Sequence, residues 1–492
     1  ALNRENKFVL TLPKCMKPKL PPQRKKLSAA GKGGVAAGAA GVAALLWHIN
    51  VEAASKPVSI CVGEGDLKEK VLPHVPLLVQ QPYRPSPWAT NTHAQTILGF
   101  LRGLSLDAKY RRQLIIAHDG GTLGLDWFHG SDAWDHAAPD APILLVLHGI
   151  NGGSHEGYCK WSCSSAYHRG WRSCALNYRG CNGLPLTSPR GYAPSLTHDI
   201  HYAITSIKAR FPKAPLFAVG YSLGALFLTK YLAEADHGLH ASMAANSSAF
   251  EPFEGSGLVA AACVSSPICL SNNSSHLSKP WTTGYLYNLA VALKVREFMQ
   301  EHRASILAGG NFDVDKAMAC WTVGDIEDAG LPYTLGFNNR FEYYEQCSSL
   351  QYIPHIRTPT LFLNARDDPF LGVLPDEECA RNPNTVLAAT SHGGHVAFLQ
   401  GWKPFGPAWM DHVVLQFMNA CATHYPASAR AETMAAARAG AQEQRQELHQ
   451  LPADAAFTAQ LHQQARQQEQ QQEQLLHQQQ GENGYPGEGG EW

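Results

Sequence analysis

An α/β fold with a mostly parallel central sheet and helices on both faces is what this chain of 492 residues predicts. Short apolar runs at 143–147, 173–177, 216–220, 258–264, 360–364 and 385–389 are bounded by turn residues, as strands covered on both faces should be. Between two of them Ile200, Ala203, Ile204, Ile207 and Phe211 recur at helical spacing and form the apolar stripe of a crossover helix. The third observation is the strand-like 216–219, which leads directly through Gly220-Tyr221-Ser222-Leu223-Gly224 into the helix-like 225–232.

Along the chain, residues 1–75 read as a segment outside the globular part. The first 32 residues hold nine Lys or Arg against one acid, Glu5, and 33–51 then lacks Asp, Glu, Lys and Arg. A basic flank before an uncharged stretch is the pattern of a single-pass signal anchor, which makes the protein membrane-associated. The stretch is mostly Ala and Gly, weak for the ~20 apolar residues of a span, so a plastid or mitochondrial transit peptide and a disordered linker remain as alternatives. The globular part is placed at 76–426. It opens on the proline-rich 82–88, and 113–118 and 123–128 follow as an antiparallel pair.

The strand 143–147 ends in His148-Gly149-Ile150-Asn151-Gly152-Gly153-Ser154, and the turn at Ser222 has the form of a nucleophile elbow. Glycine is needed on both sides of the elbow because a Cβ there would strike the neighbouring strand or helix. The five-residue string alone is weak evidence; the strand and helix around it supply the specificity. Acyl transfer at Ser222 builds negative charge on the carbonyl oxygen. The backbone N–H groups of Leu223, just after the nucleophile, and Ile150, just after His-Gly, are the candidate oxyanion donors. Asp199, near the start of the crossover helix, reads as a favourable charge at a helix N-terminus.

Residues 267–350 interrupt the strand order with amphipathic helical sequence and an aromatic-rich stretch at 333–344. They read as a helical cap inserted before the strand that carries the acid. That strand, 360–364, leads to Asp367-Asp368, and 385–389 leads to His392-Gly393-Gly394-His395. The order Ser, Asp, His is that of an α/β-hydrolase, with 146 positions from Ser222 to Asp368 and 27 from Asp368 to His395. A serine hydroxyl is a weak nucleophile, so a histidine must accept its proton and a carboxylate must hold that imidazole in the right tautomer. Ser222, Asp368 and His395 are the catalytic candidates, with Asp367 and His392 as the alternatives within each doublet. From 427 onward Ala, Gln and Glu dominate, a low-complexity tail with no catalytic role.

Five segments together resemble the YheT-like branch of the α/β-hydrolases: His148 to Ser154, Asn177-Tyr178-Arg179-Gly180-Cys181, the Gly-Tyr-Ser-Leu-Gly elbow, Asp367-Asp368-Pro369-Phe370 and Gly393-Gly394-His395-Val396-Ala397-Phe398. Upstream, Asn91-Thr92-His93-Ala94-Gln95-Thr96 is similar to that family's Asn-x-His-x-Gln-Thr signature. The resemblance spans roughly residues 80 to 420 and implies hydrolysis of carboxylic esters with lipid or medium-chain acyl groups. It also implies that the second aspartate and the histidine after Gly-Gly are catalytic. The stretch after Asp368 is shorter than in animal members, which bears on the entrance to the acyl pocket.

Composition narrows the partners. The net charge is −1, with no basic stripe carrying interleaved aromatics, which excludes a nucleic-acid binder. The 12 cysteines are scattered without Cys-x-x-Cys and read as mostly buried thiols. His155, Cys159 and Cys163 recur every fourth residue but have no fourth ligand, so neither a metal nor a cofactor is expected. The leading reading is a serine ester hydrolase. An acyltransferase using the same triad and a non-catalytic scaffold are the alternatives, and acyl length, head group and oligomeric state are left open.

Overall fold

A computed structural model describes residues 49–129, 137–237, 253–279, 281–310, 312–403 and 405–450, together with Gly41 and Leu45. The chain divides into two units, Ala1–Ile49 and Asn50–Trp492. Most of the anchor candidate at 33–51 lies outside the described residues. Among those described, no helix is long and apolar enough to cross a membrane.

Among the described residues, nine strands form one sheet in the order β1-β9-β8-β7-β6-β4-β5-β3-β2. They are β1 (Ser59–Cys61), β2 (Tyr110–Ile116), β3 (Thr122–Phe128), β4 (Ile143–Leu147), β5 (Arg172–Asn177), β6 (Leu216–Tyr221), β7 (Ala260–Val264), β8 (Thr360–Ala365) and β9 (Thr385–Thr390). Strands β4 to β9 pair in parallel, with β1 and the β2–β3 hairpin antiparallel at the two edges. Alternate side chains feed two cores. Leu144, Val146, Phe217 and Val219 enter one, while Ile143, Leu145, Leu147 and Ala218 enter the other, which explains why these strands read as continuous apolar runs.

The helices used below are α1 (Thr92–Leu101), α2 (Gly157–Tyr167), α3 (His198–Arg210), α4 (Leu223–Asp236), α5 (Leu270–Leu277), α6 (Thr283–Glu301), α7 (Val323–Asp328), α8 (Arg340–Cys347), α9 (Trp409–His424) and α10 (Ala427–Gln450). Residues of α2 and α9 pack into the first core, and those of α3 and α4 into the second. Helices α5 to α8 belong to the cap, inserted between β7 and β8 as expected. Of its aromatics, Phe337, Tyr343 and Tyr344 are buried in a small cap core, while Trp321 and Phe341 are exposed. Because β4 has β5 on one side and β6 on the other, the carboxyl ends of β4 and β6 flank the crevice where open α/β sheets bind ligands.

The globular region extends past both expected boundaries. It does not begin near Pro76: β1 pairs with β9, and Leu67, Val71, Leu72 and Val75 are buried. A three-residue strand beside the charged run Asp66 to Lys70 has no readable period. Nor does the domain stop at 426, since α10 buries Ala437 and Ala441, one turn apart on its face. His155 is not on the helix of Cys159 and Cys163; α2 starts at Gly157, and the His155 ring lies 2.9 Å from Asn182 Oδ1. Asp199 does lie in the first turn of α3. It also takes a two-point ion pair from Arg179, at 2.8 and 2.7 Å, which the charge pattern did not reveal.

Candidate active site

Ser222 stands between β6 and α4 with φ 52° and ψ −121°, a conformation costly for any residue with a Cβ and common where a turn is held under strain. The fold pays for it through both neighbouring glycines. A Cβ on Gly220 would lie 2.7 Å from Ala225 Cα, and one on Gly224 would lie 2.6 Å from the Leu147 carbonyl oxygen. The Ser222 N–H donates to the Val264 carbonyl at 2.9 Å, which ties the elbow to β7.

His395 Nε2 lies 2.9 Å from Ser222 Oγ, and His395 Nδ1 lies 2.9 and 3.0 Å from the two oxygens of Asp368. The Asp368 side chain is fully buried, and its Oδ1 also accepts the Phe370 N–H at 2.9 Å. The alternatives form a second pair: His392 Nδ1 is 3.4 Å from Asp367 Oδ2, and Asp367 Oδ1 accepts the Gly394 N–H at 3.1 Å. Each doublet is thereby divided: His395 is hydrogen-bonded to the serine and Asp368 to His395, while Asp367 and His392 brace the turn. Burial pushes the Asp367 carboxyl above its ordinary range, against the lowering influence of the Gly394 N–H and His392.

The signature on α1 holds the histidine turn, a role that its string alone did not reveal. Asn91 caps the helix by accepting the Ala94 N–H at 2.9 Å. Thr92 Oγ1 donates to the Asp367 carbonyl at 2.6 Å, and Thr96 Oγ1 accepts the His395 N–H at 3.0 Å. The buried Gln95 amide accepts the Leu399 N–H at 2.8 Å and donates to the Ala89 carbonyl at 2.7 Å. Gly394 has φ 61°, and a Cβ there would fall 2.8 Å from both the Thr92 carbonyl oxygen and Thr96 Oγ1.

The loop after β4 passes directly over the serine: a Cβ on Gly149 would lie 3.3 Å from Ser222 Cβ. Burial lowers His148 to about 3, so its ring is neutral. Nδ1 donates to the Gly149 carbonyl at 2.7 Å, which leaves Nε2 to accept the Tyr178 N–H at 3.3 Å. The Tyr158 and Tyr192 hydroxyls accept the N–H groups of Gly149 and Asn151, and Asn151 Nδ2 donates to the Lys294 carbonyl on α6, linking loop and cap. Among the described residues, the N–H groups of Ile150 and Leu223 have no hydrogen-bond partner. Leu223 is also the first residue of α4, where the helix dipole favours negative charge.

A cavity of about 610 Å³ contains Ser222, His395, Ile150 and Leu223 in its wall. Its lining is overwhelmingly apolar, with Ile97, Phe100 and Leu101 from α1 and Val291, Val295 and Phe298 from α6. A concave, mostly apolar space with a few polar groups in its wall has the character of a small-molecule binding site.

A family model described as the alpha/beta hydrolase fold matches residues 142–261. Over 349 residues the chain is 31% identical to the embryogenesis-associated protein EMB8 of Picea glauca, covering 69% of this chain and 72% of that protein. It is 30% identical over 375 residues to the phospholipase ABHD3 of Bos taurus, covering 75% and 86%. A monoacylglycerol lipase of Saccharomyces cerevisiae is 29% identical over 285 residues, covering 56% and 59%. With its mostly parallel sheet and these relatives, the chain belongs to the α/β-hydrolase family, in the branch that includes the embryogenesis-associated protein and the ABHD3 phospholipases.

Proposed function

We propose that this protein is a serine carboxylic ester hydrolase acting on lipid or medium-chain acyl esters through Ser222, His395 and Asp368. The observation that carries the reading is the 2.9 Å contact between Ser222 Oγ and His395 Nε2 in the wall of an apolar cavity. Names given to relatives, a phospholipase and a monoacylglycerol lipase, support the substrate class.

The acyl chain lies in the cavity with its carbonyl carbon at Ser222. As Oγ attacks, its proton passes to His395 Nε2, and the carbonyl π pair moves onto oxygen, where the Ile150 and Leu223 N–H groups meet the charge. Asp368 accepts the Nδ1–H hydrogen bond and stabilises the imidazolium. Collapse of the tetrahedral adduct breaks the ester C–O bond, and the departing oxygen takes the proton from Nε2, leaving an acyl-serine. Water then gives its proton to Nε2, attacks the acyl carbon, and releases the acid as Ser222 is reprotonated. Residues 33–51 serve, on this reading, as an anchor that keeps the enzyme at a lipid surface.

The test is Ser222→Ala, assayed with a fluorophosphonate probe and with p-nitrophenyl esters of two to sixteen carbons. Labelling should vanish and hydrolysis should fall by about 10⁴-fold or more with the circular dichroism unchanged. Retained labelling overturns the assignment of the nucleophile, and an ethyl ester as the main product in added ethanol replaces hydrolysis with acyl transfer.

A further inference from the structure

The segment Asp367-Asp368-Pro369-Phe370 brings an aromatic ring onto His395. Phe370 sits two residues past the acid, and its N–H donates to Asp368 Oδ1 at 2.9 Å, so the backbone that restrains the carboxylate also sets where this side chain starts. The Phe370 and His395 rings have centroids 4.2 Å apart and planes 32° from parallel, which puts the phenyl against the face of the imidazole. Tyr287, on the cap helix α6, packs against the same phenyl at 4.8 Å between centroids, and its hydroxyl lies 2.9 Å from His93 Nδ1 on α1. The phenyl is thus held from the acid turn and from the cap, in the wall of the cavity that contains Ser222.

Both nitrogens at the edge of the His395 ring are taken, Nδ1 by Asp368 and Nε2 by Ser222, and what Phe370 meets is the face. A neutral imidazole gains only ordinary stacking from a phenyl placed there. An imidazolium gains more, because the face of an aromatic ring carries negative charge and attracts a cation within about 6 Å of its centroid. His395 becomes cationic when it takes the proton of Ser222 in acylation and that of water in deacylation. The contact therefore strengthens on the way from ground state to transition state, which is the condition for an interaction to raise kcat. An aliphatic side chain at 370 would cover the imidazole without that difference.

We propose that Phe370 is a positioning residue that stabilises the His395 imidazolium through the face of its ring. Asp368 meets the charge at the ring edge and Phe370 meets it from above, in both half-reactions. Removing such a contact changes a rate by about two- to thirty-fold. The inference rests on the ester-hydrolase reading and adds a residue to its transition state.

The experiment replaces Phe370 in the full chain with mono-, di- and trifluorophenylalanine, which keep the shape of the ring while fluorine draws charge from its face, and compares them with Phe370→Tyr and Phe370→Leu on p-nitrophenyl butyrate. Across the fluorinated series kcat should fall stepwise, it should be about ten-fold below the wild type in Phe370→Leu, and it should keep most of its value in Phe370→Tyr, with KM little changed throughout. A kcat that ignores fluorination overturns the proposal whatever Phe370→Leu does, because the ring then only fills space. A change confined to KM overturns it in favour of a substrate contact, and leaves the hydrolase intact. A wild type that hydrolyses no ester overturns the hydrolase reading and the proposal with it.

Discussion

Thr96 Oγ1 accepts the backbone N–H of His395 at 3.0 Å while donating to the Thr92 carbonyl at 2.8 Å, so the turn that carries the imidazole hangs from α1. Thr96 is therefore a positioning residue. Thr96→Val removes the acceptor at nearly constant shape and should lower kcat on a soluble ester by about ten-fold with little change in KM, since imidazole placement matters most in the transition state. Thr96→Ser should restore most of the rate. Equal rates for the valine and serine variants would show that the turn is held without this bond.

The two aspartate–histidine pairs predict an asymmetry. Asp368→Asn and His395→Ala should each lower kcat by about 10⁴-fold or more, because both act on the proton that Ser222 loses. Asp367→Asn and His392→Ala, which touch only the turn, should cost about ten-fold or less. Steady-state kinetics on p-nitrophenyl butyrate ranks the four, and a reversed order within either doublet contradicts the assignment.

Why one member of each doublet reaches the serine was legible only in part. The central strands and the elbow are written in local sequence, because burial on both faces demands apolar runs and the tight turn demands glycine at 220 and 224. Ser222, Asp368 and His395 follow from motif order, with the family resemblance favouring the members that the structure brings together. What holds His395 is not local at all. Gln95 meets Leu399, and Thr92 meets the Asp367 carbonyl, across some three hundred positions. Likewise, β1 owes its existence to the open edge of β9, and Ser-Ile-Cys carries no pattern of its own.

Beneath the elbow, Arg102 Nη1 lies 2.7 Å from Asp411 Oδ2, with both side chains fully buried. Ser162 Oγ donates to the same aspartate at 3.1 Å and lies 2.6 Å from the hydroxyl of Tyr221, the neighbour of Ser222. Asp411→Ala leaves a guanidinium without its partner and should destabilise the domain by about 3–5 kcal/mol. Urea unfolding measures this; a loss below about 1 kcal/mol means that water reaches Arg102.

Glu327 makes stability depend on pH. Burial raises its carboxyl from 4.5 to about 7, so between those values the folded state binds more protons than the unfolded state and stability falls as pH rises. The cost is absent below pH 4.5 and complete above pH 7, where it approaches about 3 kcal/mol. Glu327→Gln should therefore raise Tm at pH 8 and leave it nearly unchanged at pH 4.5. A gain that is equal at both pH values would mean that the carboxyl titrates normally.

Two truncations separate location from folding. Removing residues 1–49 deletes most of the proposed anchor and no strand of the sheet, so hydrolysis of a short soluble ester should persist while carbonate extraction, which leaves an integral protein in the pellet, should now release the chain. Removing 1–75 also deletes β1, uncovers the edge of β9, and strips Leu67, Val71, Leu72 and Val75 from the core. At roughly 1.5–3 kcal/mol for each fully buried side chain, those four residues alone match the 5–15 kcal/mol net stability of a typical domain. The longer truncation should aggregate or melt far below the shorter one. If the two melt together, residues 59–75 contribute nothing to the fold; if the full-length protein is itself released by carbonate and its mature N-terminus lies beyond Val51, the anchor gives way to a transit peptide.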